Sequence, residues 1–257
     1  MIDPMLIVNH FQRKLEADER VLLMSLRQLR GPDAAMIVHA CGFDGFYADC
    51  EHGMFTWEQA SALCASALMA GLLPALRVRQ NTPADIGAAL DAGAQCVIVP
   101  HVSSAAEAEA AVRAAKYPPW GERSLAALGP ATRYRSLPAG EIVRLMNDQS
   151  MMVAMLETAD GVAAADEIAA VRGVDALMIG PIDLSAEMGA PGQLDHPAIR
   201  SAYLAACEAA RKHGKQFVAS GEIAAELAQH GARIFLGGTD VGYLISAARK
   251  AADVLRG

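Results

Sequence analysis

Short apolar runs alternate with longer alanine-rich stretches of helical periodicity along the whole chain, and this repeat is the strongest constraint on its fold. Eight of the apolar runs have the length and composition of buried strands. Because helical stretches separate them, neighbouring strands are expected to be parallel and joined by crossover helices. The repeat therefore predicts an α/β fold, a (β/α)8 (TIM) barrel. The predicted strands are residues 21–26, 45–49, 74–78, 96–100, 152–157, 176–179, 216–219 and 233–236.

One barrel domain spanning residues 1–257 accounts for the sequence. Such a barrel commonly takes about 250 residues, and no Pro-, Gly- or Ser-rich linker divides the chain. The 52 alanines suit an outer ring of packed helices, since alanine has the highest helix propensity. A dinucleotide-binding sheet is the rival fold, but no G-x-G-x-x-G motif follows the first strand. The predicted helices include residues 57–70, 83–92, 104–115, 161–171, 196–212, 222–229 and 241–255.

Charge, the N-terminal sequence and the cysteines argue against several classes of protein. The formal net charge is −7 and no basic run offsets it, so nucleic acid and anionic membrane surfaces are not expected partners. Residues 1–10 lack a basic leader, and the apolar runs are too short to cross a bilayer. The five cysteines form no C-x-x-C pair, which argues against a zinc ribbon or a redox motif. We therefore expect a cytoplasmic protein with free thiols.

Ionisable residues follow four of the predicted strands. The carboxyl ends of the strands are where TIM barrels place their catalytic groups, whereas strand interiors are filled by apolar side chains. We therefore expect carboxylates, an imidazole and a guanidinium to meet at one rim of the barrel. The residues are Asp49, Glu51 and His52 at the second strand, Arg77 and Arg79 at the third, Glu157 at the fifth and Asp183 after the sixth.

Glu157 and Asp183 come from neighbouring strands, and two converging carboxylates repel each other unless a cation lies between them. Mg²⁺ or Mn²⁺ would relieve the repulsion, because these hard cations prefer oxygen ligands and keep positions open for water and substrate. The alternative is structural. Glu157 would then cap the following helix, and Asp183 would form a turn after Gly180 and Pro181.

His52 is the first candidate for proton transfer, because the ordinary pKa of histidine is close to neutral. Asp49 and Glu51 beside it favour this role over that of a hydrogen-bonded structural histidine. His101, which follows the fourth strand, is a second candidate.

Arg77 could hold a carboxylate or a carbonyl oxygen with its planar fork. Arg79 faces the same side of the strand, and either arginine could instead form a structural pair with Asp91 or Glu51. None of the five lysines follows a predicted strand, which disfavours a Schiff-base mechanism.

Two connections are unusually long for a compact domain: residues 117–137 after the fourth strand and residues 180–193 after the sixth. Both are expected at the carboxyl ends of the strands, near the catalytic groups.

Six motifs occur in order along the chain, and their combination is specific although each alone is weak. They are Asp49-Cys50-Glu51-His52, Leu90-Asp91-Ala92-Gly93-Ala94-Gln95, Val99-Pro100-His101-Val102, Tyr117-Pro118-Pro119-Trp120-Gly121-Glu122-Arg123, Glu157-Thr158 and Gly180-Pro181-Ile182-Asp183-Leu184-Ser185. Together they resemble the HpcH/HpaI family of class II, metal-dependent pyruvate aldolases, which includes 4-hydroxy-2-oxoheptanedioate and 2-dehydro-3-deoxyglucarate aldolases. The similarity runs from about residue 42 to the C-terminus.

The resemblance implies a TIM barrel that assembles as a hexamer, a trimer of dimers, with a C-terminal helix exchanged between neighbours. It also implies roles for the motif residues. Glu157 and Asp183 match the metal ligands, and Arg77 matches the arginine that contacts the pyruvate-type substrate and its enolate. His52 matches the acid/base histidine, with Asp49 and Asp91 in its proton-transfer network. The backbone around Pro181, Ile182 and Asp183 would receive the substrate carboxylate.

Some positions depart from the family pattern. Ser124 stands where glycine is common, His101 where methionine is frequent, and Met36 where glutamate is usual. Arg27 and Arg30 in the first loop suggest a substrate with an anionic distal end, and their alternative is a role as solvated surface charges.

The predicted function is reversible cleavage of a 4-hydroxy-2-oxo acid to pyruvate and an aldehyde through a metal-stabilised enolate. The expected metal is Mg²⁺ or Mn²⁺, with Co²⁺ as a third option. The expected partners are the 2-oxo acid and the aldehyde. Alternatives are an oxaloacetate decarboxylase, a CoA-ester lyase of the same barrel superfamily, and a non-catalytic barrel that binds an oxo acid.

Overall fold

Eight parallel strands close into a barrel in the computed structural model, which describes residues 7–257. Each strand pairs with the next along the chain, and β8 pairs with β1, so the predicted (β/α)8 barrel is confirmed. Residues 1–6 of the N-terminal sequence lie outside the described residues. The strands are β1 (Val21–Leu26), β2 (Gly45–Asp49), β3 (Leu73–Arg77), β4 (Cys96–Val99), β5 (Met151–Leu156), β6 (Ala176–Ile179), β7 (Gln216–Ser220) and β8 (Ile234–Thr239).

Helices follow the strands and surround the barrel. Within residues 7–257, every helix is too short or too polar to cross a lipid bilayer. The helices are α1 (His10–Glu16), α2 (Ala34–Ala40), α3 (Trp57–Met69), α4 (Pro83–Asp91), α5 (Ala105–Ala115), α6 (Ala139–Gln149), α7 (Ala159–Ala163), α8 (Ala165–Ala170), α9 (Pro181–Glu187), α10 (Pro197–Lys212), α11 (Ala224–Gln229) and α12 (Asp240–Arg256).

Two apolar layers hold the barrel together. Inside it, Tyr47, Ile98 and Met178 pack in one buried cluster, to which Phe11 of α1 also belongs. The other layer lies between the strands and the helices and contains many buried alanines, whose small side chains let helix and sheet approach closely. Polar groups at the carboxyl ends of the strands therefore rest on a rigid apolar base.

One predicted connection lies at the wrong end of the barrel. Residues 117–137 follow helix α5 rather than strand β4, so they lie at the amino ends of the strands and not at the expected catalytic end. Two contacts fix them there: Arg123 forms an ion pair with Asp91 at the end of α4, and Pro130 packs against Gly93, just before β4. The connection 180–193 does follow a strand, and its first part forms α9.

Candidate active site

The pair formed by Asp49 and Arg77 is the centre of the rim. The two residues are register partners at the ends of β2 and β3, so their side chains leave the sheet on the same side. Arg77 donates from Nε to Asp49 Oδ1 (2.9 Å) and from Nη2 to Oδ2 (2.6 Å). Both residues are buried. This bidentate geometry fixes the plane of the guanidinium.

Two further carboxylates face the free edge of that guanidinium. Nη1 of Arg77 lies 3.0 Å from Glu51 Oε2 and 3.8 Å from Glu157 Oε1. Glu51 Oε2 is buried, yet it accepts no hydrogen bond from the described residues. One buried guanidinium thus faces three carboxylates, and the centre of the rim carries an excess of negative charge.

The two most buried carboxylates of the rim have opposite pKa shifts. Burial raises the pKa of Asp49, but the hydrogen bonds and charge of Arg77 outweigh burial and hold the pKa below its ordinary value. Burial also raises the pKa of Glu157, and neither the amide and ring of His101 nor Arg77 offsets it. The carboxyl group of Glu157 is therefore harder to ionise than that of an exposed glutamate.

Glu157 rests against the start of α9. A Cβ atom on Gly180 would overlap the Glu157 carboxylate, so the glycine makes room for it. Asp183 lies in the first turn of α9 and is exposed, and none of the described residues forms a hydrogen bond or ion pair with its carboxylate. The absence of a side chain at Gly180 therefore lets the Glu157 carboxylate lie against the start of the helix that carries Asp183.

The carboxylates at this rim suit a hard divalent cation. Such ions are commonly held by one or two carboxylates and complete their coordination with water and substrate oxygens. Residues 7–257 contain no preassembled cluster of three or more His, Cys, Asp or Glu ligands. Two carboxylates are the candidates for holding such an ion: Glu157, whose pKa is raised by burial, and Asp183, which forms no hydrogen bond or ion pair with the described residues.

Two histidines lie at the rim, and His101, the second candidate for proton transfer, is the one in contact with Glu157. His101 Nδ1 lies 3.2 Å from Glu157 Oε2, and its backbone N–H donates to the same oxygen at 2.9 Å. Its Nε2 lies 3.1 Å from Glu51 Oε1. The ring of His52 is half exposed, and its Nε2 lies 4.0 Å from Glu51 Oε2. His52 is anchored by its backbone N–H, which donates to Asp49 Oδ1 at 3.0 Å.

The structure does not bring Asp91 together with His52 within this chain. Asp91 ends α4 at the amino end of the barrel, where its carboxylate accepts a 2.6 Å hydrogen bond from Arg123. Ser124, next to Arg123, is exposed in the same connection. Arg79 lies beyond the end of β3 and donates to the backbone carbonyl of Phe55 at 2.7 Å, so it does not pair with Asp91 or Glu51.

Two residues gain importance that sequence reasoning did not give them. Glu51, expected as a companion of His52 and as an alternative partner of an arginine, lies within ion-pair distance of both Arg77 and His101, and the contact with His101 was not expected. Asp240, the first residue of α12, is buried and accepts hydrogen bonds from the backbone amides of residues 27–29. Its position after a threonine at a helix start is a usual place for an acidic residue, so the sequence carried no signal for the second role.

A family model for the HpcH/HpaI aldolase/citrate lyase proteins matches residues 27–247. The chain belongs to this family. The match contains every rim residue described above and confirms the resemblance found in the motifs.

Known relatives agree with the family assignment. The chain is 38% identical over 194 residues to a 4-hydroxy-4-methyl-2-oxoglutarate aldolase of Hapsidospora irregularis, covering 75% of this chain and 72% of the relative. It is 34% identical over 225 residues to a 4-hydroxy-2-oxo-heptane-1,7-dioate aldolase of Escherichia coli, covering 84% and 83%. The crystal structure of an HpcH/HpaI aldolase from Desulfitobacterium hafniense superposes with a TM-score of 0.89 at 32% identity, over 95% of this chain and 96% of that one. These relatives confirm the prediction of an aldolase-type lyase.

Proposed function

We propose that the protein catalyses the reversible retro-aldol cleavage of 4-hydroxy-2-oxo acids to pyruvate and an aldehyde. The observation that carries this proposal is the buried guanidinium of Arg77, which Asp49 fixes at the rim with Nη1 directed towards Glu51 and Glu157. A preorganised cation at a water-poor site stabilises negative charge as it develops, as in an enolate. The family and the relatives support the same type of reaction.

Glu157 and Asp183 would hold a divalent cation, Mg²⁺ or Mn²⁺, with Co²⁺ as a third option. The negative charge of the rim and the raised pKa of Glu157, which burial causes, support this assignment. When bound, the cation supplies Lewis-acid polarisation of the 2-oxo group. The backbone around Pro181, Ile182 and Asp183 would receive the substrate carboxylate, as amides at a helix start can.

His52 would accept the proton of the C4 hydroxyl, because its half-exposed ring can reach a substrate in the rim. As the C3–C4 bond breaks, C4 becomes the carbonyl carbon of the aldehyde and the electron pair passes to the 2-oxo-acid fragment as an enolate. Arg77 would stabilise the enolate oxygen, and Asp49 would keep Arg77 in place. Protonation of C3 then gives pyruvate.

Metal removal tests this function. Dialysis against EDTA is expected to abolish pyruvate release from a 4-hydroxy-2-oxo acid, because the reaction would lose its Lewis acid. Adding Mn²⁺ or Mg²⁺ is expected to restore the rate, measured by coupled reduction of the pyruvate formed. A sample treated with the EDTA–Mg²⁺ complex controls for effects of the chelator. Full activity after verified metal removal would contradict the proposal.

We also propose that residues 1–257 form one domain that acts in the cytoplasm as a homo-oligomer, a hexamer in which neighbours exchange the C-terminal helix. The exposed apolar side chains of α12, including Leu244, Val254 and Leu255, support an interface on this helix. An apolar groove lined by Ile37, Phe43 and neighbouring residues lies beside it. Light scattering after size-exclusion chromatography is expected to give the mass of six chains, and a monomer would contradict this proposal.

A further inference from the structure

The connection between β1 and α2 is held rigidly at the rim. Asp240 accepts hydrogen bonds from the backbone N–H groups of Arg27 (3.1 Å), Gln28 (2.9 Å) and Leu29 (2.7 Å). Burial raises the pKa of Asp240, but these amides outweigh burial and hold it below its ordinary value. The carboxylate is therefore ionised at neutral pH, and it fixes the backbone from which two arginine side chains extend.

Those two arginines have different surroundings. Arg30 Nη2 donates to the carbonyl of Gly53 at 3.1 Å and to Gln28 Oε1 at 3.2 Å, and its guanidinium lies over the ring of Phe55. These contacts tie one loop to the next, which is a structural role.

Arg27 is half exposed and extends over the carboxylate cluster instead. Its Nη2 lies 3.3 Å from Asp49 Oδ2, and its side chain is 46% exposed. Both oxygens of Asp49 already accept hydrogen bonds from Arg77. A guanidinium has five N–H donors, so Arg27 keeps donors free for a ligand in the rim.

The backbone of Arg27 enters the rim opposite the proposed 2-oxo-acid site, and its side chain extends inward from there to Asp49. In the closed strand order β1 stands opposite β5, which is followed by Glu157. A substrate whose oxo-acid end lies beside Glu157 and Asp183 can thus extend its other end towards β1. A second carboxylate at that end of the substrate would be repelled by the negative charge of the cluster. Because Arg77 already faces three carboxylates, the second carboxylate of the substrate needs another cation as its partner.

We propose that Arg27 binds a carboxylate on the aldehyde half of the substrate, and so selects acceptor aldehydes that carry an acidic group. The inference rests on the proposed aldolase function and deepens it by naming the class of acceptor. Asp240 is the positioning residue that holds the backbone of Arg27.

The test compares acceptors of equal shape that differ in charge. Aldol addition of pyruvate is measured with glyoxylate against 2-methylpropanal, and with succinic semialdehyde against 4-methylpentanal, using metal-loaded enzyme. The readout is the ratio of kcat/KM values within each pair. The wild-type enzyme is expected to favour the acid in at least one pair. In that pair Arg27→Ala is expected to lower the ratio about ten- to a hundredfold, the usual effect of losing a charged hydrogen bond.

Two variants control for general damage to the loop. Arg27→Lys keeps the charge and is expected to retain part of the ratio, whereas Arg30→Ala removes an arginine from the same loop and is expected to leave the ratio unchanged. The inference is overturned if the wild-type enzyme favours the acid in neither pair, if Arg27→Ala keeps the ratio, or if Arg30→Ala lowers it equally. Failure of the aldolase function itself would look different, because the wild-type enzyme would then consume no pyruvate with any acceptor.

Discussion

Glutamine in place of Glu157 is expected to lower kcat/KM for pyruvate formation by about a thousandfold, because Lewis-acid stabilisation is worth several kcal/mol. The substitution keeps the shape of the side chain and an oxygen that can accept the backbone N–H of His101. It removes the charge that a divalent cation requires. We expect the loss to persist at saturating Mn²⁺.

The same variant is expected to unfold at a temperature no lower than the wild-type enzyme when both are free of metal. Burial raises the pKa of Glu157, so the ionised carboxylate is unfavourable in the folded protein and its removal has no stability cost. Steady-state rates and thermal unfolding of the same preparation measure the two effects. Glu122→Gln, an exposed carboxylate at the opposite end of the barrel, is the matched control. Wild-type activity in Glu157→Gln would remove this residue from the metal site.

The fold could be predicted from the sequence because each strand is buried on both faces and must therefore be apolar. The run Met151–Leu156 is buried throughout, and so is Gly45–Asp49, which ends in the charged Asp49. Polar residues directly after such strands could therefore be assigned to one rim, and four strands meet there as expected.

Sequence periodicity predicts that a helix or strand exists more readily than it predicts at which end of the barrel the neighbouring segment lies. Helix α6 was not predicted, and the segment 117–137 was assigned to the end of the fourth strand although the predicted helix 104–115, which is α5, lies between them. The contact partners of single residues could not be predicted from the sequence either. Arg27 and Asp240 are 213 positions apart, and only the closed barrel brings the first loop to the last helix. The contact of His101 with Glu157 likewise depends on the neighbouring positions of β4 and β5.

Lysine in place of Arg77 is expected to lower kcat/KM by about a hundredfold or more, the usual effect of removing one preorganised donor from a developing anion. A single ammonium group cannot bind both oxygens of Asp49 and also extend a donor towards the substrate, as the guanidinium does. Arg79→Lys, two positions along the chain, is the control, because Arg79 binds a backbone carbonyl outside the cluster. Equal losses in the two variants would contradict a specific role for Arg77.

Methionine in place of Arg77 is expected to lower the free energy of unfolding, because Asp49 would then be buried without its partner. Removing one member of a buried pair costs about 3–5 kcal/mol of unfolding free energy. In the wild-type protein Arg77 holds the pKa of Asp49 below its ordinary value, so the stabilisation exists above the ordinary aspartate pKa and is lost as the pH falls through the lowered one. The stability difference between the wild-type protein and Arg77→Met should therefore be largest near neutral pH and shrink on acidification. Urea unfolding across this pH range measures it, and a difference independent of pH would show that Arg77 does not stabilise the fold through the charge of Asp49.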